Sequence, residues 1–206
     1  IALYDSLSPE CNEEDCEQGD FAGCTLRMGG HDFMDWNRAR NQGGSDGCID
    51  FNDPDNMGLK PCLCGEGEFG KRATMNEAFA AHCDKVSYAD FLVIASEAVM
   101  IRTRPDYDAT TQTSKSLRFD FRFGRATATT CSKETDGQLS LPNPENGCHD
   151  VKDVFVDRLE LDRAEGRGNG WRSAAALMGV HTLGRAKREN SGYDGWWVSG
   201  QEGREF

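Results

Sequence analysis

Two side chains in the first third of the chain have the types and spacing that suit cleavage of a peroxide bond. Arg27 and His31 are four residues apart, so on a helix they project from one face. An imidazole can move a proton between two oxygens, while a guanidinium stabilises charge that develops on the leaving oxygen. Taken alone, the pair also fits a surface arginine and a solvated histidine on an ordinary helix.

A third candidate, His181, lies near the end of the apolar segment 174–185. A neutral imidazole on an apolar wall can ligate haem iron, or it can be a hydrogen-bonded core histidine. Two more segments gain meaning only in context. Residues 51–59 (FNDPDNMGL) form a turn made of turn residues, and the paired tryptophans of 190–198 are typical of packing.

Apolar periodicity predicts the helices that must position these residues. The helices are expected over residues 21–36, 86–102, 151–162 and 171–184. Ser87 is placed to cap the second of them. Residues 40–72 and 103–150 are rich in turn formers and are expected to be loops, the first with one short helical turn and the second with short strands. The predicted fold is mostly α, with long loops.

Composition narrows the class of protein. The 206 residues suit one domain or two tightly joined lobes. With 35 Asp and Glu against 23 Lys and Arg, the net charge is -12, which repels nucleic acid and anionic membranes and favours cationic partners. No apolar run reaches the roughly 18 residues of a membrane helix. Without an initiator Met or a signal-like segment, Ile1 is expected to be a processed start.

Nine cysteines indicate disulfides in a secreted, extracellular protein. They are Cys11, Cys16, Cys24, Cys48, Cys62, Cys64, Cys83, Cys131 and Cys148. Because the number is odd, at least one thiol is free or bonded to another chain. Cys131 and Cys148 are candidates for one bridge, and a bridge is also expected to pin the acidic arm 1–20. A zinc site from the cysteines and histidine of 62–83 matches no familiar ligand spacing.

The order and spacing of six segments together resemble the landmarks of the haem peroxidases of plants, fungi and yeast, and most closely the cytochrome c peroxidase and ascorbate peroxidase branch. The segments are 26–32 (LRMGGHD), 51–59 (FNDPDNMGL), 86–99 (VSYADFLVIASEAV), 121–130 (FRFGRATATT), 177–186 (LMGVHTLGRA) and 190–197 (NSGYDGWW). The resemblance covers roughly residues 20–198. It implies the haem peroxidase fold, in which distal and proximal helical lobes surround the haem.

The resemblance divides the chain into an arm, 1–20, and a haem peroxidase-like domain, 21–206. The distal lobe would span about 21–125 and the proximal lobe about 126–206. The family also has an Asp well after the proximal helix that bonds the proximal His, and this chain ends at Phe206. The closing part of the usual domain is therefore expected to come from a disulfide-linked or tightly bound second chain.

The resemblance assigns roles residue by residue. Arg27 and His31 match the distal pair that cleaves hydrogen peroxide, and Asn56 matches the residue that orients the distal His. His181 matches the proximal ligand of the iron in haem b. Trp197, sixteen residues later, matches the tryptophan beside that ligand. The reaction implied is peroxide reduction with one-electron oxidation of a donor that the sequence does not identify.

Three further positions are placed at the haem: Gly30, Leu177 and Thr182. Gly30 stands where the family has Trp or Phe over the distal face, which removes a wall and opens the pocket. Each of the adjacent glycines, 29 and 30, weakens a helix by about 1 kcal/mol relative to Ala. Thr182 matches one ligand of a proximal cation, whereas Val198 lacks the oxygen expected of its partner.

A distal calcium site is matched only in part. Asp32, Gly44 and Asp46 fit the pattern of the secreted branches, but Cys48 replaces a serine, and a thiol is a poor calcium ligand. Calcium or another cation is therefore not predicted. The second functional hypothesis is a pseudo-peroxidase, with or without haem, that acts as a structural, binding or toxin-like protein. Gly30 and the absent proximal Asp favour it.

Overall fold

The computed structural model describes residues 1–12, 15–64, 74–117, 120–131, 141–165 and 169–197. Helices make up most of its regular structure, which confirms the predicted mostly-α class. They are α1 (Ala2–Asp5), α2 (Glu17–Met34), α3 (Lys60–Cys64), α4 (Met75–Ala80), α5 (Tyr88–Arg102), α6 (Cys148–Val151), α7 (Leu161–Glu165), α8 (Gly170–Met178) and α9 (Arg188–Ser191). No described helix has both the length and the apolar character needed to cross a membrane.

The described strands are two residues long and form two antiparallel hairpins. The first pairs β1 (Tyr107–Asp108) with β2 (Thr113–Ser114). The second pairs β3 (Arg185–Ala186) with β4 (Gly195–Trp196). The short strands expected within 103–150 are therefore present, and the second hairpin lies just beyond His181.

Helices α2 and α5 pack against each other at the centre of the molecule. α5 closely follows its predicted span, and the Ser87 hydroxyl caps it by accepting a hydrogen bond from Asp90 N at 3.0 Å. α2 begins four residues earlier than predicted because the acidic segment before Phe21 joins it. Gly29 lets the helices approach closely, since a Cβ there would lie 2.4 Å from the Ser96 hydroxyl oxygen.

The main hydrophobic core gathers side chains from the first five helices. Its largest fully buried members are Tyr4, Met28, Leu59, Met75 and Leu92. A second cluster packs the end of α2 against the C-terminal helices, with Met34, Leu141, Val154, Phe155 and Ala174 buried. The acidic arm 1–20 therefore contains a helix, α1, whose Tyr4 is part of the main core.

The C-terminal helices differ from their predicted spans. The helix expected over 151–162 begins at Cys148, becomes π-helical over Lys152–Arg158 and breaks before α7. Glu160, at the break, has φ of +51°. The helix expected over 171–184 ends at Met178 and continues as the 3-10 turn Gly179–Thr182.

Three disulfides link the loops to the helices: Cys11–Cys16, Cys24–Cys62 and Cys48–Cys131. The predicted Cys131–Cys148 bridge is wrong, and Cys148 is a free thiol, as are Cys64 and Cys83. The buried Asp90 carboxylate explains the pairing. It accepts hydrogen bonds from Gly124 N (2.8 Å) and from Arg125 Nη1 (2.9 Å). These bonds hold the segment around Gly124 against the start of α5, which contains Asp90. That path carries Cys131 to Cys48.

Candidate active site

Arg27 and His31 lie on one face of α2, as their spacing predicted. Gly30 and Met34 share this face, because residues at i, i+3, i+4 and i+7 fall on one side of a helix. Met34 closes the C-terminal end of the face and belongs to the second hydrophobic cluster. Arg27 and His31 are therefore followed, about one helical turn later on the same face, by the apolar side chain of Met34.

The turn 51–59 contacts the second residue of the pair through Asn56, whose side chain is buried. Asn56 Nδ2 donates to the Asp50 carbonyl at 2.9 Å, which orients the amide so that Oδ1 faces His31 Nδ1 at 2.8 Å. Because an amide oxygen only accepts, Nδ1 must carry the proton. The other ring nitrogen, Nε2, is then the basic one.

The same turn holds Arg27 through its backbone. Arg27 Nη1 donates to the Met57 carbonyl at 2.6 Å, and Nη2 donates to the Asp55 carbonyl at 2.7 Å. These bonds use two of the five N–H donors of a guanidinium and hold its plane against the turn. Asp53 stabilises the turn by accepting from Asp55 N at its start.

Burial and charge keep His31 neutral. Burial lowers the pKa of His31 to about 4, with a further lowering by the positive charge of Arg27 and, more weakly, by His181. The hydrogen bond to Asn56 acts in the opposite direction. Burial also lowers the pKa of Arg27, which the nearby Asp55 carboxylate partly offsets. His31 is therefore an unprotonated base at neutral pH, beside a cation.

His181 lies in the 3-10 turn that follows α8, with its ring exposed. Its Nδ1 is 3.1 Å from the Met178 carbonyl oxygen, so Nδ1 is the donor and Nε2 keeps its lone pair. Trp197 packs edge-on against it, with the ring centroids 5.1 Å apart. Trp197 is 46% exposed.

Two contacts bring the 3-10 turn against α2. A Cβ on Gly23 of α2 would lie 3.0 Å from Gly184 Cα, so the two backbones approach as closely as glycine allows. Gly184 also has φ of +76°, a conformation that favours glycine. Next to it, Arg185 forms a two-pronged ion pair with Asp20, with Nε–Oδ1 and Nη2–Oδ2 distances of 2.9 Å.

The remaining predicted positions are near these elements. Leu177 is half-buried and packs against the second cluster. The Thr182 hydroxyl donates to the Gly179 carbonyl at 2.8 Å, a local bond within the turn. A Cβ on Gly30 would make an ordinary van der Waals contact with the Met34 Cε, at 3.8 Å. Val198 lies outside the described residues.

The carboxylates near the partly matched calcium pattern bond to backbone N–H groups. Asp32 accepts from Gly47 N at 2.9 Å, and Asp46 accepts from Cys48 N at 3.0 Å. Burial raises the pKa of Asp32 to about 8, helped by the negative charge of Asp46. Among the described residues, no group of three or more His, Cys, Asp or Glu side chains could hold a metal ion.

The alternative zinc site in residues 62–83 loses one of its possible ligands, because Cys62 forms a disulfide with Cys24. Sequence reasoning also missed the backbone groups that organise the site. The carbonyls of Asp50, Asp55 and Met57 are acceptors that no residue type reveals. Gly58 is the residue in the sequence that could have indicated this turn. Its φ of +85° favours glycine, and a Cβ there would lie 2.4 Å from Asn190 Nδ2.

Comparison with known proteins agrees with this helical architecture. The family model described as peroxidase matches residues 12–196, which is most of the chain. The chain therefore belongs to the peroxidase family.

Individual relatives are similar at low identity. A peroxisomal L-ascorbate peroxidase of Arabidopsis thaliana is 30% identical over 84% of this chain and 51% of its own length. A mitochondrial cytochrome c peroxidase of Candida albicans is 27% identical over 95% of this chain and 47% of its own length. A probable peroxisomal ascorbate peroxidase of Oryza sativa is 26% identical over 85% of this chain. The chain spans about half the length of the curated relatives it matches.

These relatives correct one expectation. The number of cysteines predicted a secreted, extracellular protein, whereas the relatives are peroxisomal and mitochondrial proteins, which contradicts that prediction. The cysteines do form the three disulfides described above. Their number thus predicted cross-links correctly and the compartment wrongly, because disulfide geometry is set by the fold whereas the compartment is not.

Proposed function

We propose that this chain is the haem-carrying part of a peroxidase that reduces hydrogen peroxide and oxidises a donor one electron at a time. The proposal rests mainly on the neutral His31, which is oriented by Asn56 and lies beside Arg27. A base and a cation on one side and an accessible imidazole on the other form the arrangement that this chemistry needs.

The donor set of the site fits a haem. His181 offers an exposed ring whose Nδ1 is engaged by a carbonyl, so its Nε2 lone pair can ligate iron. Trp197 packs against this ligand, and Thr182 and Leu177 are its neighbours in sequence. Gly30 shares the face of α2 that carries Arg27 and His31. When bound, haem would supply the electrons that break the peroxide O–O bond, as in other haem enzymes.

The residues of the chain would then handle protons and charge. His31 Nε2 would accept a proton from one peroxide oxygen and deliver it to the other. Arg27, held by two carbonyls of the turn, would stabilise negative charge on the departing oxygen. Asn56 would keep His31 in the tautomer that allows this transfer.

A second candidate, a haem-binding protein with little or no turnover, is favoured by one contact. His181 Nδ1 bonds to the Met178 carbonyl, and a neutral carbonyl raises the basicity of a ligand less than a carboxylate does. Asp194, which lies three residues before Trp197, pairs with Arg188 instead. The second chain expected from the sequence has no support in the comparisons and forms no part of either proposal.

The test titrates the purified protein with haem and then with hydrogen peroxide and an oxidisable dye. We expect a Soret band and peroxide-dependent dye oxidation. His181→Ala should lose the haem, whereas His31→Ala should keep it and lose about 10²- to 10⁴-fold in peroxide turnover. His82→Ala, which removes an exposed histidine outside the site, is the matched control.

Each outcome has a distinct meaning. Without a Soret band in the wild-type protein, both candidates are wrong. A Soret band without dye oxidation supports the second candidate over the first. Equal turnover in the wild type and in His31→Ala would show that His31 is not the base.

A further inference from the structure

The Cys24–Cys62 disulfide begins on the face of α2 that carries the base and the cation. Cys24 lies three residues before Arg27 and seven before His31, so the three side chains follow one another along one side of the helix. Cys62 lies in α3, which begins directly after the turn 51–59. The bond therefore joins the reactive face of α2 to the end of the turn that contacts it.

The turn 51–59 supplies hydrogen-bond partners to both reactive side chains. Arg27 donates to the carbonyls of Asp55 and Met57, and His31 Nδ1 donates to Asn56. These bonds form only while the turn stays within about 3 Å of the donors. Displacement of the turn by about 1 Å would disturb the base and the cation together, and a misplacement of this size can cost about 10²-fold in rate.

The two sulfur atoms lie in the packed contact between these elements. Cys24 Sγ is 3.9 Å and Cys62 Sγ is 3.3 Å from the carbonyl oxygen of Leu59, at the end of the turn. Leu59 and Cys62 are both buried. Two thiol sulfurs cannot remain at bonding distance, and a close-packed interior transmits their separation to its neighbours. Cleavage of the bond therefore shifts the end of the turn relative to α2.

The two ends of the disulfide differ in their access to solvent. Cys24 is half-buried whereas Cys62 is buried, so an external thiolate can approach Cys24 and expel the Cys62 thiolate. Cys64 is an exposed thiol in the same short helix, but residues two apart do not share a helix face. Cys64 is therefore not placed to attack Cys62, and the reductant must come from outside the chain.

We propose that the Cys24–Cys62 disulfide is a redox-controlled positioning device for the peroxide site and that a dithiol opens it. This inference rests on the proposed function. While the bond is formed, it holds the turn 51–59 against α2, and Arg27 and His31 keep their partners. A dithiol R(SH)₂ attacks Cys24 Sγ, and its second thiol resolves the mixed disulfide. The sum is Cys24–S–S–Cys62 + R(SH)₂ → Cys24–SH + Cys62–SH + RS₂, so two electrons and two protons pass to the protein.

The test treats the folded, haem-loaded protein with dithiothreitol, removes the reagent and identifies the reduced cysteines by differential alkylation and mass spectrometry. The Soret band should remain, because His181 is untouched. The rate constant for the reaction with hydrogen peroxide should fall by about 10- to 100-fold and recover on reoxidation with oxidised glutathione. The inference is wrong if the rate constant stays the same once Cys24 and Cys62 are reduced, or if dithiothreitol cannot reduce this bond in the folded protein.

Paired variants assign the effect to this bond. Cys24→Ala/Cys62→Ala should have the low rate constant before treatment and should not respond to dithiothreitol. Cys11→Ala/Cys16→Ala, the matched control, removes a bond that also joins a half-buried cysteine to a buried one, and it should respond as the wild type does. A full response in Cys24→Ala/Cys62→Ala would assign the effect to another disulfide and contradict the inference.

The His31 Nδ1 proton provides a readout in the haem-free protein that does not depend on turnover. Because Asn56 accepts this proton, its NMR signal in the oxidised protein should be protected from exchange with water. Asn56→Ala should lose the signal, which assigns it, and reduction of the wild type should lose it as well. A signal that persists after reduction would contradict the inference. A wild type that binds no haem would refute the proposed function, whereas this signal would still decide whether the bond positions His31.

Discussion

At the scale of single residues, the site depends on a short relay of hydrogen bonds that sets one tautomer. The Asp50 carbonyl orients the Asn56 amide, and the amide oxygen in turn requires a proton on His31 Nδ1. The Asp50 backbone oxygen thus determines, through Asn56, which nitrogen of the His31 imidazole is basic. Burial, helped by the Arg27 charge, lowers the pKa of that imidazole and keeps it unprotonated.

The pH dependence of the peroxide reaction tests this electrostatic arrangement. Since the pKa of His31 is lowered to about 4, the base is neutral above that pH. The rate constant should stay level from pH 8 to about pH 5 and fall below it, whereas an unperturbed histidine would lose activity near pH 6.5. Stopped-flow rates across this range provide the measurement.

Arg27→Gln should shift that fall to higher pH, because removal of the nearby positive charge raises the pKa of His31. Arg38→Gln, which removes an exposed arginine just beyond α2, is the control and should leave the midpoint unchanged. An unshifted midpoint in Arg27→Gln would show that the Arg27 charge does not act on His31.

At the scale of elements, α2 and the β3–β4 hairpin hold the two histidines of the proposed site. α2 carries the base, and the hairpin carries Trp197 to His181 because Arg185 pairs with Trp196 across it. The Asp20–Arg185 ion pair joins these elements, with side chains only 8% and 7% exposed. Lys187 also reaches Asp20, at 3.3 Å.

The buried ion pair predicts a large stability effect at its hairpin end. Arg185→Leu should lower the free energy of unfolding by about 3 kcal/mol, because Asp20 keeps only Lys187 as a described cationic partner in a buried place. Arg188→Leu, which breaks the exposed Arg188–Asp194 pair, should cost less than about 0.5 kcal/mol. Urea unfolding of the haem-free variants measures both, and similar losses would contradict the buried role of Arg185.

At the scale of the whole molecule, disulfides tie distant parts of the chain to the helices near the site. Cys48–Cys131 spans 83 residues and joins the loop after α2 to the segment that crosses the start of α5. Cys24–Cys62 fastens α2 to α3, just after the turn that carries Asn56. These links restrain the loops that hold the site, whereas Cys11–Cys16 spans only five residues.

The length of each loop predicts how much each bridge stabilises the fold. Cys48→Ala/Cys131→Ala should lower the free energy of unfolding by roughly 4–5 kcal/mol, and Cys11→Ala/Cys16→Ala by roughly 2 kcal/mol. Thiol titration of the denatured protein should find three reactive thiols before reduction and nine after it. A count of one before reduction, or equal losses in the two variants, would contradict this pairing.

The features that sequence predicted well are local. α5 follows from an apolar run with Ser87 in front of it, and the alignment of Arg27 with His31 follows from helical periodicity. The C-terminal helices were predicted less well, because the π-helical stretch and the 3-10 turn depend on packing against the second cluster. The disulfide partner of Cys131 was missed because the buried Asp90 carboxylate, rather than proximity in sequence, directs the segment before it.

By itself, the sequence determined which chemistry was available: a base and a cation on one helical face, and a second histidine at the end of an apolar helix. It did so because periodicity and capping act over a few residues. Only the tertiary structure decided that Asn56 meets His31 and that Trp197 meets His181. Those contacts join residues far apart in the chain, and they form only where packed helices, a close pair of glycine backbones and a buried ion pair bring the elements together.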